Sequence, residues 1–312
     1  MPRKLRVEYP GAIYHVMNRG DRREPIFVDD KDRERFIETL GQVCQKSGWQ
    51  VHAYCLMGNP FHLVVETPRA NLVAGMQWFL GTYTARFNRR HRFFGHLFSG
   101  RYKSLIVDGG GAGYLKTVCD YVHLNPVRAK LLRAEQRLKE YPWSSWPEYL
   151  KKPAKRPLWL RVDRLLGEWG LKEDNGAGRR ELEFGIEQRR ELELSQENGD
   201  WKRLRRGWYF GPKEFREELL ELIGEKRGQQ HCGEELKESE TQKAERLIRE
   251  ALKKTGWTND GLKARRKGDV TKARLAKRLP TETTVTWPWI AERLAMGHWR
   301  TARNATQNLK TK

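Results

Sequence analysis

The sequence has few cysteines and no long apolar run. Cys44, Cys55, Cys119 and Cys232 show no Cys-x-x-Cys spacing, and three of them lie in apolar stretches. This pattern indicates buried free thiols of a cytoplasmic protein and argues against a disulfide framework. The N-terminus lacks the apolar stretch of a signal peptide, and no run approaches the ~18 apolar residues of a membrane helix. We therefore expect an unexported protein with no membrane partner.

Acidic residues are also in deficit, with 40 Asp and Glu against 61 Lys and Arg, a formal charge of +21. Residues 1–150 hold 23 basic and 14 acidic side chains (+9), residues 151–250 hold 23 and 22 (+1), and residues 251–312 hold 15 and 4 (+11). Two basic blocks around a neutral middle suit two separate contacts with a polyanion, and nucleic acid is the first candidate. The alternative is that surplus Lys and Arg only keep the surface soluble.

Hydrophobic residues make up 38% of the chain, enough to bury a core. Over the first 150 residues the periodicity predicts strand, helix, strand, strand, helix, strand, helix. This order predicts an α+β fold with a ferredoxin-like antiparallel sheet and helices on one face. The predicted strands cover residues 11–19, 49–57, 61–67 and 102–107, and the predicted helices cover 29–48, 71–91 and a segment from about 114.

The periodic pattern changes near residue 150. We predict a first domain over 1–150, a charged connector or partly helical region over 151–245, and a mostly α-helical, basic region over 246–312.

The last region resembles the helix-turn-helix plan. Gly297 marks the turn, and the polar residues of the following helix are placed to reach base edges. The alternative is a basic helical bundle that reads no DNA groove. The candidate DNA-binding residues on this helix are Arg300, Arg303, Asn304 and Gln307.

One helix of the first domain carries a tyrosine and an amide one turn apart. In YLKTVCDYVHLNPVRAK, Tyr121 lies on the flank of the apolar stripe and Asn125 follows on the same side. Pro126 predicts that the helix ends or kinks there. A tyrosine can attack a DNA phosphodiester and keep the energy of the broken bond in a phosphotyrosine, with a metal polarising the phosphate. The alternative is a packed boundary tyrosine.

Five motifs cover nearly all of the first 150 residues in a fixed order. They are YHVMNRG (14–20), LMGNPFHLVVETP (56–68), GTYTARFNRRH (81–91), GHLFSGRYKS (95–104) and YVHLNPVRA (121–129). In this order they resemble the single-tyrosine HUH (IS200-like) transposases and, within them, the REP-associated tyrosine transposases. The later stretches GWYFG and ETTVTWPWIAERLAMG are similar to a tail found in one branch of that family.

The resemblance implies a ferredoxin-like sheet with Tyr121 as the nucleophile. It also implies that Asn125 helps bind a metal and that a His-hydrophobic-His pair supplies the other ligands. Members of the family nick and join single-stranded DNA next to a hairpin, use Mg²⁺ or Mn²⁺ and commonly act as homodimers. By this resemblance the partner is DNA and the protein works at the nucleoid.

The chain departs from the family pattern at Pro60. The motif N-H-F-H is replaced by Asn59-Pro60-Phe61-His62, so that His62 matches the second histidine and proline stands at the first. Because residues 60 and 62 share one face of the strand, the change removes a ligand from the site itself. Mg²⁺ prefers oxygen ligands and keeps several waters, so we expect weakened binding through His62, Asn125 and the DNA phosphate.

Two other histidines are candidate replacements for the missing ligand. His15 lies on a strand expected to neighbour the one with His62, and His52 lies across the hairpin. The alternative is that each is an ordinary hydrogen-bonded histidine of the sheet.

The remaining motif positions supply basic and aromatic side chains that predict contacts with DNA. The alternative is a solvated basic face. The predicted phosphate contacts are Arg19, Arg86, Arg89, Arg90, Arg101 and Lys103, and Tyr102 or Phe98 is expected to stack on an unpaired base.

Two functions stay open from the sequence. The first is a metal-assisted DNA strand transferase that forms a 5′-phosphotyrosine through Tyr121 during transposition. The second is a regulator that binds DNA hairpins and has lost the chemistry through Pro60. A basic RNA-binding protein with the same fold is a third reading, which the order of the motifs disfavours.

Overall fold

The computed structural model describes residues 7–133, 135–195, 204, 207–228, 240–283, 285–307 and 309. Their strands form one five-stranded sheet in the order β2-β3-β1-β4-β5. The first four strands pair antiparallel, and β5 pairs parallel with β4. The strands are β1 (Ala12–Asn18), β2 (Gln50–Leu56), β3 (Phe61–Thr67), β4 (Lys103–Val107) and β5 (Tyr209–Phe210).

The α-helices follow the predicted order in the first domain and continue to the end of the chain. Those of the first half are α1 (Asp30–Ser47), α2 (Leu72–His91), α3 (Tyr114–His123), α4 (Asn125–Arg128), α5 (Trp146–Tyr149), α6 (Asp163–Glu168) and α7 (Gly176–Ser195). Those of the second half are α8 (Lys213–Gly228), α9 (Glu240–Thr255), α10 (Asn259–Ala264), α11 (Val270–Glu282), α12 (Trp287–Arg293) and α13 (Trp299–Gln307). Short 3-10 helices lie at Asp21–Arg23, Leu138–Glu140 and Pro153–Lys155.

The α+β fold and its ferredoxin-like sheet are confirmed, and α1 and α2 cover one face as predicted. The ring of Phe36 on α1 lies 5.0 Å from that of Phe61 on β3 and 4.8 Å from that of Phe79 on α2. The N-terminus of α1 is capped by the Asp29 side chain, which accepts from the Asp32 backbone N–H. The helix ends at Gly48, whose φ of 75° lies in the left-handed region that glycine adopts without strain.

The prediction that helices lie on one face is incomplete, because α3 packs on the opposite face. The ring of Tyr121 on α3 contacts His15 of β1 and His62 of β3, whose side chains point away from α1 and α2. All seven residues of β3 are buried, so both faces of the sheet are covered at this strand. A sheet of this kind requires a covering layer on each face.

The predicted break at Pro126 is confirmed. Helix α3 ends at His123, Leu124 lies between the two helices, and α4 begins at Asn125 with Pro126 in its first turn. A proline fits the first turn because the backbone N–H it lacks would have no helical partner there. Asn125 therefore begins a new helical turn.

The core of the first domain continues past residue 150. Leu160, Leu165, Leu182 and Ile186 are buried in the same cluster as the strands of the sheet. Strand β5 adds a further edge to that sheet. The structure thus brings part of the segment predicted as a connector onto the first core, while the division into three segments stays a prediction.

The helices from α9 onward form a second buried cluster. Leu247, Leu275, Ile290 and Leu294 are among its members. A hydrogen bond from the Lys243 Nζ on α9 to the backbone oxygen of Lys46 on α1, at 3.1 Å, links this cluster to the first.

Three of the four cysteines lie among the described residues and test the prediction of buried free thiols. Cys44, Cys55 and Cys119 are buried free thiols, as predicted, and burial raises the pKa of each. Cys232 lies outside the described residues. In the part of the chain that is described, no helix is both long and apolar enough to cross a membrane.

Two glycines of α2 provide a matched test of packing. A Cβ at Gly75 would lie 2.1 Å from the Trp49 ring, whereas a Cβ at Gly81 would meet nothing within 4 Å. We predict that Gly75→Ala destabilises the protein by about 1–3 kcal/mol, because the buried Trp49 must move. Gly81→Ala should stabilise it by about 0.5–1 kcal/mol through helix propensity. Urea denaturation of both variants checks this, and equal effects would contradict the packing of α2 on Trp49.

Candidate active site

Tyr121 lies at the centre of a buried polar cluster between α3 and the sheet. Its side chain is buried, and its ring meets two imidazoles edge-on, with centroid distances of 5.6 Å to His15 and 5.9 Å to His62. Tyr121 and both histidines are therefore neighbours. Because they lie on three separate elements, their proximity depends on the fold.

His15 and His62 contact each other directly. Register pairs Met17 with His62, so His15 lies diagonally across the β1-β3 ladder and points to the same face. His15 Nε2 lies 3.0 Å from His62 Nδ1, and the ring centroids are 5.2 Å apart, so the two nitrogens face each other between the rings. His15 is fully buried, and burial together with the nearby Arg128 lowers its pKa to about 3. His15 is thus neutral at physiological pH.

Arg128 completes the cluster, although the sequence pattern assigns it no role. Its guanidinium carbon lies 4.2 Å from the centre of the Tyr121 ring. Nη2 donates to Asn125 Oδ1 at 3.0 Å and to the backbone oxygen of Tyr121. Nη1 donates at 3.2 Å to Glu193 Oε2 on α7. The available signal was its position in YVHLNPVRA, three residues after Asn125.

The donors that the resemblance assigns to a metal already have protein partners. His62 Nδ1 pairs with His15, and Asn125 Oδ1 accepts a hydrogen bond from Arg128. The guanidinium places a positive charge beside the amide oxygen, which opposes a second cation there. Across the described ranges, no three His, Cys, Asp or Glu side chains gather as a metal-holding group. The charge of Arg128 opposes a metal held through Asn125 Oδ1, while the contact with His15 uses one of the two ring nitrogens of His62, so Mg²⁺ or Mn²⁺ stays a prediction.

Pro60 ends the hairpin turn that leads into β3. The backbone N–H of Met57 donates to the Pro60 carbonyl at 3.0 Å. The turn is therefore closed through the carbonyl of residue 60, which proline retains. Of the two candidate replacements for the missing histidine, His15 is the one that lies beside His62.

His52, the second candidate to replace the missing histidine, is not part of this cluster. Its Nε2 lies 2.9 Å from Glu66 Oε2, four residues along β3 from His62 and so roughly 13 Å away at ~3.3 Å per residue. A register shift between Val51 and Ala53 interrupts the β2-β3 ladder at this point. The bulge aims the His52 side chain at Glu66.

Glu66 gathers a second charged cluster at that end of the sheet. Arg161 Nη1 and Arg164 Nη1 lie 3.1 Å and 3.0 Å from its Oε2. Burial alone raises the pKa of Glu66, but the hydrogen bond and charge of His52 and those of the arginines outweigh it and lower the pKa to about 2.

Some of the side chains predicted to contact phosphate are exposed, and others are bonded to protein groups. Arg86 donates to Thr39 Oγ1 at 2.6 Å and to Gln42 Oε1 at 2.8 Å, which ties it to α1. Arg90 pairs with the carboxylates of Asp29 and Asp32. The side chains of Arg19, Arg89, Arg101 and Lys103 are exposed.

The two aromatic residues predicted to stack on a base are buried. Phe98 is 8% exposed and Tyr102 is 9% exposed, and the Phe98 ring packs 6.1 Å from that of Phe61 in the core. Neither presents a ring to solvent. The Phe98 ring belongs to the core, which a periodicity argument for a loop does not anticipate.

The C-terminal helices place the predicted base-reading residues on an open surface. Ala302 is buried on the inner side of α13, and the turn before it contains Gly297 with a φ of 80°. The outer face of α13 is exposed and carries Arg300, Arg303, Asn304 and Gln307.

Comparison with known families supports the resemblance drawn from the motifs. Residues 8–125 match the family model described as "Transposase IS200 like". The match spans little more than a third of the chain and ends at Asn125, four residues beyond Tyr121. This part of the chain is similar to the IS200-like transposases.

One solved structure to which the chain is similar is that of a REP-associated tyrosine transposase bound to a REP hairpin. The sequences are 12% identical, and the alignment covers 47% of this chain and 84% of that one with a TM-score of 0.40. None of the curated proteins matches the chain.

The second charged cluster can be tested through the pH dependence of the stability that Glu66 contributes. Its pKa is about 2 in the folded protein against an ordinary 4.5, so the unfolded chain binds more protons between these values. The stability it contributes is complete above about pH 4.5 and is lost as the pH falls toward 2. We predict that Glu66→Gln lowers the free energy of unfolding at pH 7 and that its difference from wild type shrinks toward pH 3.

Urea denaturation of wild type and Glu66→Gln at several pH values checks this. Glu148→Gln, which removes the carboxylate of an i,i+3 ion pair with the exposed Lys151, is the control and should show little change at any pH. A difference for Glu66→Gln that is constant with pH would contradict the assignment.

Proposed function

We propose that this protein binds a DNA hairpin and nicks and rejoins the adjacent single strand through Tyr121, as a REP-associated type of transposase. The single observation that carries the proposal is the packing of Tyr121 against His15 and His62 under Arg128. The IS200-like match over residues 8–125 supports it, since that match includes Tyr121 and His62. The charge of +21 supports a nucleic-acid partner.

In the proposed reaction the Tyr121 oxygen forms a bond to the phosphorus of a DNA phosphodiester. The bond from phosphorus to the 3′ oxygen breaks, and that strand leaves with a 3′ hydroxyl, which takes up a proton as the phenol gives one up. The 5′ phosphate stays on Tyr121, and a 3′ hydroxyl later reverses the step to join strands. No external energy source is required.

Arg128 is the cation best placed to offset the charge of the phosphate. It lies against the Tyr121 ring, and a guanidinium can donate two parallel hydrogen bonds to phosphate oxygens. A phosphate bound there competes with Glu193 for the guanidinium. Such preorganised charge acts strongly in a buried site because little water screens it.

A second candidate function is hairpin binding without chemistry. It is favoured by Pro60 at the position of a metal ligand, by the 3% exposure of Tyr121 and by the engaged donors of His62 and Asn125. A protein of this kind would act as a regulator that occupies the hairpin. The two candidates differ only in whether a covalent adduct forms.

Substitutions at residue 60 and at Tyr121 distinguish the two candidate functions. We predict that wild type incubated with a hairpin oligonucleotide and Mn²⁺ forms a covalent adduct on a denaturing gel, and that Tyr121→Phe abolishes it. Pro60→His should increase the adduct because it restores an imidazole beside His62. Pro60→Ala is the matched control, since it removes the proline without adding a ligand.

The outcomes separate the candidates. An adduct with Pro60→His but not with wild type, lost again in Pro60→His/Tyr121→Phe, would establish the binding-only function. No adduct with any variant would contradict Tyr121 as the nucleophile.

The outer face of α13 provides a test of DNA binding by the C-terminal helices. We predict that Arg300→Ala/Arg303→Ala weakens hairpin binding and lowers the slope of log affinity against log salt by about 2, close to one per lost phosphate contact. Lys253→Ala/Lys254→Ala is the control, because it removes two exposed charges from α9 of the same helical region. Equal slopes for all three proteins would show that α13 does not contact DNA.

A further inference from the structure

The loop between α2 and β4 presents two adjacent phenylalanines to solvent. We name residues 92–96 (Arg92-Phe93-Phe94-Gly95-His96) the aromatic loop. Phe94 is 97% exposed and Phe93 is 56% exposed. Scattered exposed apolar residues are normal on a protein surface, but two neighbouring exposed rings form a patch that favours a partner. Among the described residues, Phe184 on α7 is the other exposed phenylalanine, at 65%.

The aromatic loop is held in place by its own hydrogen bonds. The Phe93 backbone N–H donates to Asn88 O at 2.9 Å, and Asn88 Nδ2 donates to Gly95 O at 3.0 Å. Arg92 adopts a φ of 58°, a left-handed conformation that costs energy for a residue other than glycine. The Phe93 ring lies 5.8 Å from the His91 ring, nearly parallel to it. The exposure of the rings is thus part of an ordered turn.

Exposed arginines surround the aromatic loop. Residues 19–21 pair with residues 97–99, through Asp21 N–H to Leu97 O and Ser99 N–H to Arg19 O, both at 2.9 Å. This pairing places the segment that follows β1 beside the aromatic loop. The exposed basic residues of segments 19–24 and 89–101 are Arg19, Arg22, Arg23, Arg89, Arg90, Arg92, His96 and Arg101, of which Arg90 is paired with Asp29 and Asp32, and their exposed acids are Asp21 and Glu24.

Two of these arginines are also in an unusual backbone conformation. Arg22 and Arg23 have φ values of 50° and 64°, in the left-handed region. Backbone strain of this kind persists where the surroundings fix it and is concentrated at binding sites. The basic side chains are therefore displayed by two constrained turns.

The segment that follows the aromatic loop lies at the same end of the strands as His62. Met17 pairs with both His62 and Lys103, so the end of β1, the start of β3 and the start of β4 meet there. The Gly20 backbone N–H donates to Asn59 Oδ1 at 2.9 Å, which ties the segment after β1 to the turn before β3.

We propose that Phe93 and Phe94 form a stacking platform for unpaired bases of the DNA strand that flanks the hairpin. A base stacks on an aromatic ring whatever its identity, while arginines around the ring bind the backbone phosphates. Charge complementarity selects this occupant, because the surrounding side chains are mainly cationic. The proposal rests on the DNA-binding part of the proposed function and does not require the chemistry at Tyr121.

The test compares two DNA hairpins with the same stem, one blunt and one with an unpaired tail of several nucleotides. Fluorescence anisotropy with the full chain, in the absence of divalent metal, measures both affinities. Phe94→Ala and Phe93→Ala/Phe94→Ala should weaken binding of the tailed hairpin by about tenfold and leave the blunt hairpin unchanged. Phe94→Trp should retain the affinity, and Phe184→Ala, an equally conservative loss of an exposed ring, should change neither.

A second readout reports stacking itself. A 2-aminopurine base in the tail should lose fluorescence on binding wild type and Phe94→Trp, and recover it with Phe93→Ala/Phe94→Ala. Unchanged affinity and fluorescence in that double variant would overturn the proposal. Equal loss for blunt and tailed hairpins would assign the loop to duplex DNA and overturn it as well.

Two results other than the binding affinities also bear on the proposal. A drop in molar mass by light scattering for Phe93→Ala/Phe94→Ala would assign the rings to a contact between two copies of the chain and overturn the platform. Failure to detect an adduct leaves these binding measurements untouched, since they need no cleavage. Failure of wild type to bind either hairpin would overturn both proposals together.

Discussion

The pairing register between β1 and β3 is the constraint on which the candidate site depends. With Met17 opposite His62, His15 and His62 point to one face and their nitrogens lie 3.0 Å apart. Side chains alternate along a strand, so a slip of one residue in β1 would turn His15 into the layer of α1 and α2. Both strands are internal to the sheet, and their ladders on either side fix this register. Tyr121 then has two imidazoles to pack against.

The same cluster draws a distant part of the chain into the site. A guanidinium that is only 14% exposed requires hydrogen-bonding partners, and Arg128 finds its carboxylate in Glu193, 65 residues later on α7. A second ion pair joins Arg189 of α7 to Asp120, the neighbour of Tyr121. Helix α7 is therefore joined by ion pairs to Asp120, which precedes Tyr121 on α3, and to Arg128, which follows it on α4. The charged composition that predicted a connector in this region reflects these pairs as well as solvent exposure.

Local patterns predicted the sheet, its helices and the break before Pro126, because each depends on spacings within a few residues. The direction of His52 was beyond them, since a bulge at one position of β2 decides it. Arg128 was missed because its role comes from a partner far along the chain. Phe98 was mistaken for a surface ring because periodicity does not tell which loop residues turn inward. Long-range packing accounts for all three errors.

The proposals assign DNA binding and chemistry to different residues of this protein. Pro60 keeps the carbonyl that closes the turn before β3, so the loss of an imidazole there leaves the register of β3 in place. The aromatic loop and the outer face of α13 use no atom of residue 60. On the proposals above, a change at residue 60 therefore acts on the phosphoryl-transfer step alone. On the same proposals, hairpin recognition does not depend on catalysis by Tyr121, which makes covalent chemistry the property that separates a transposase from a regulator.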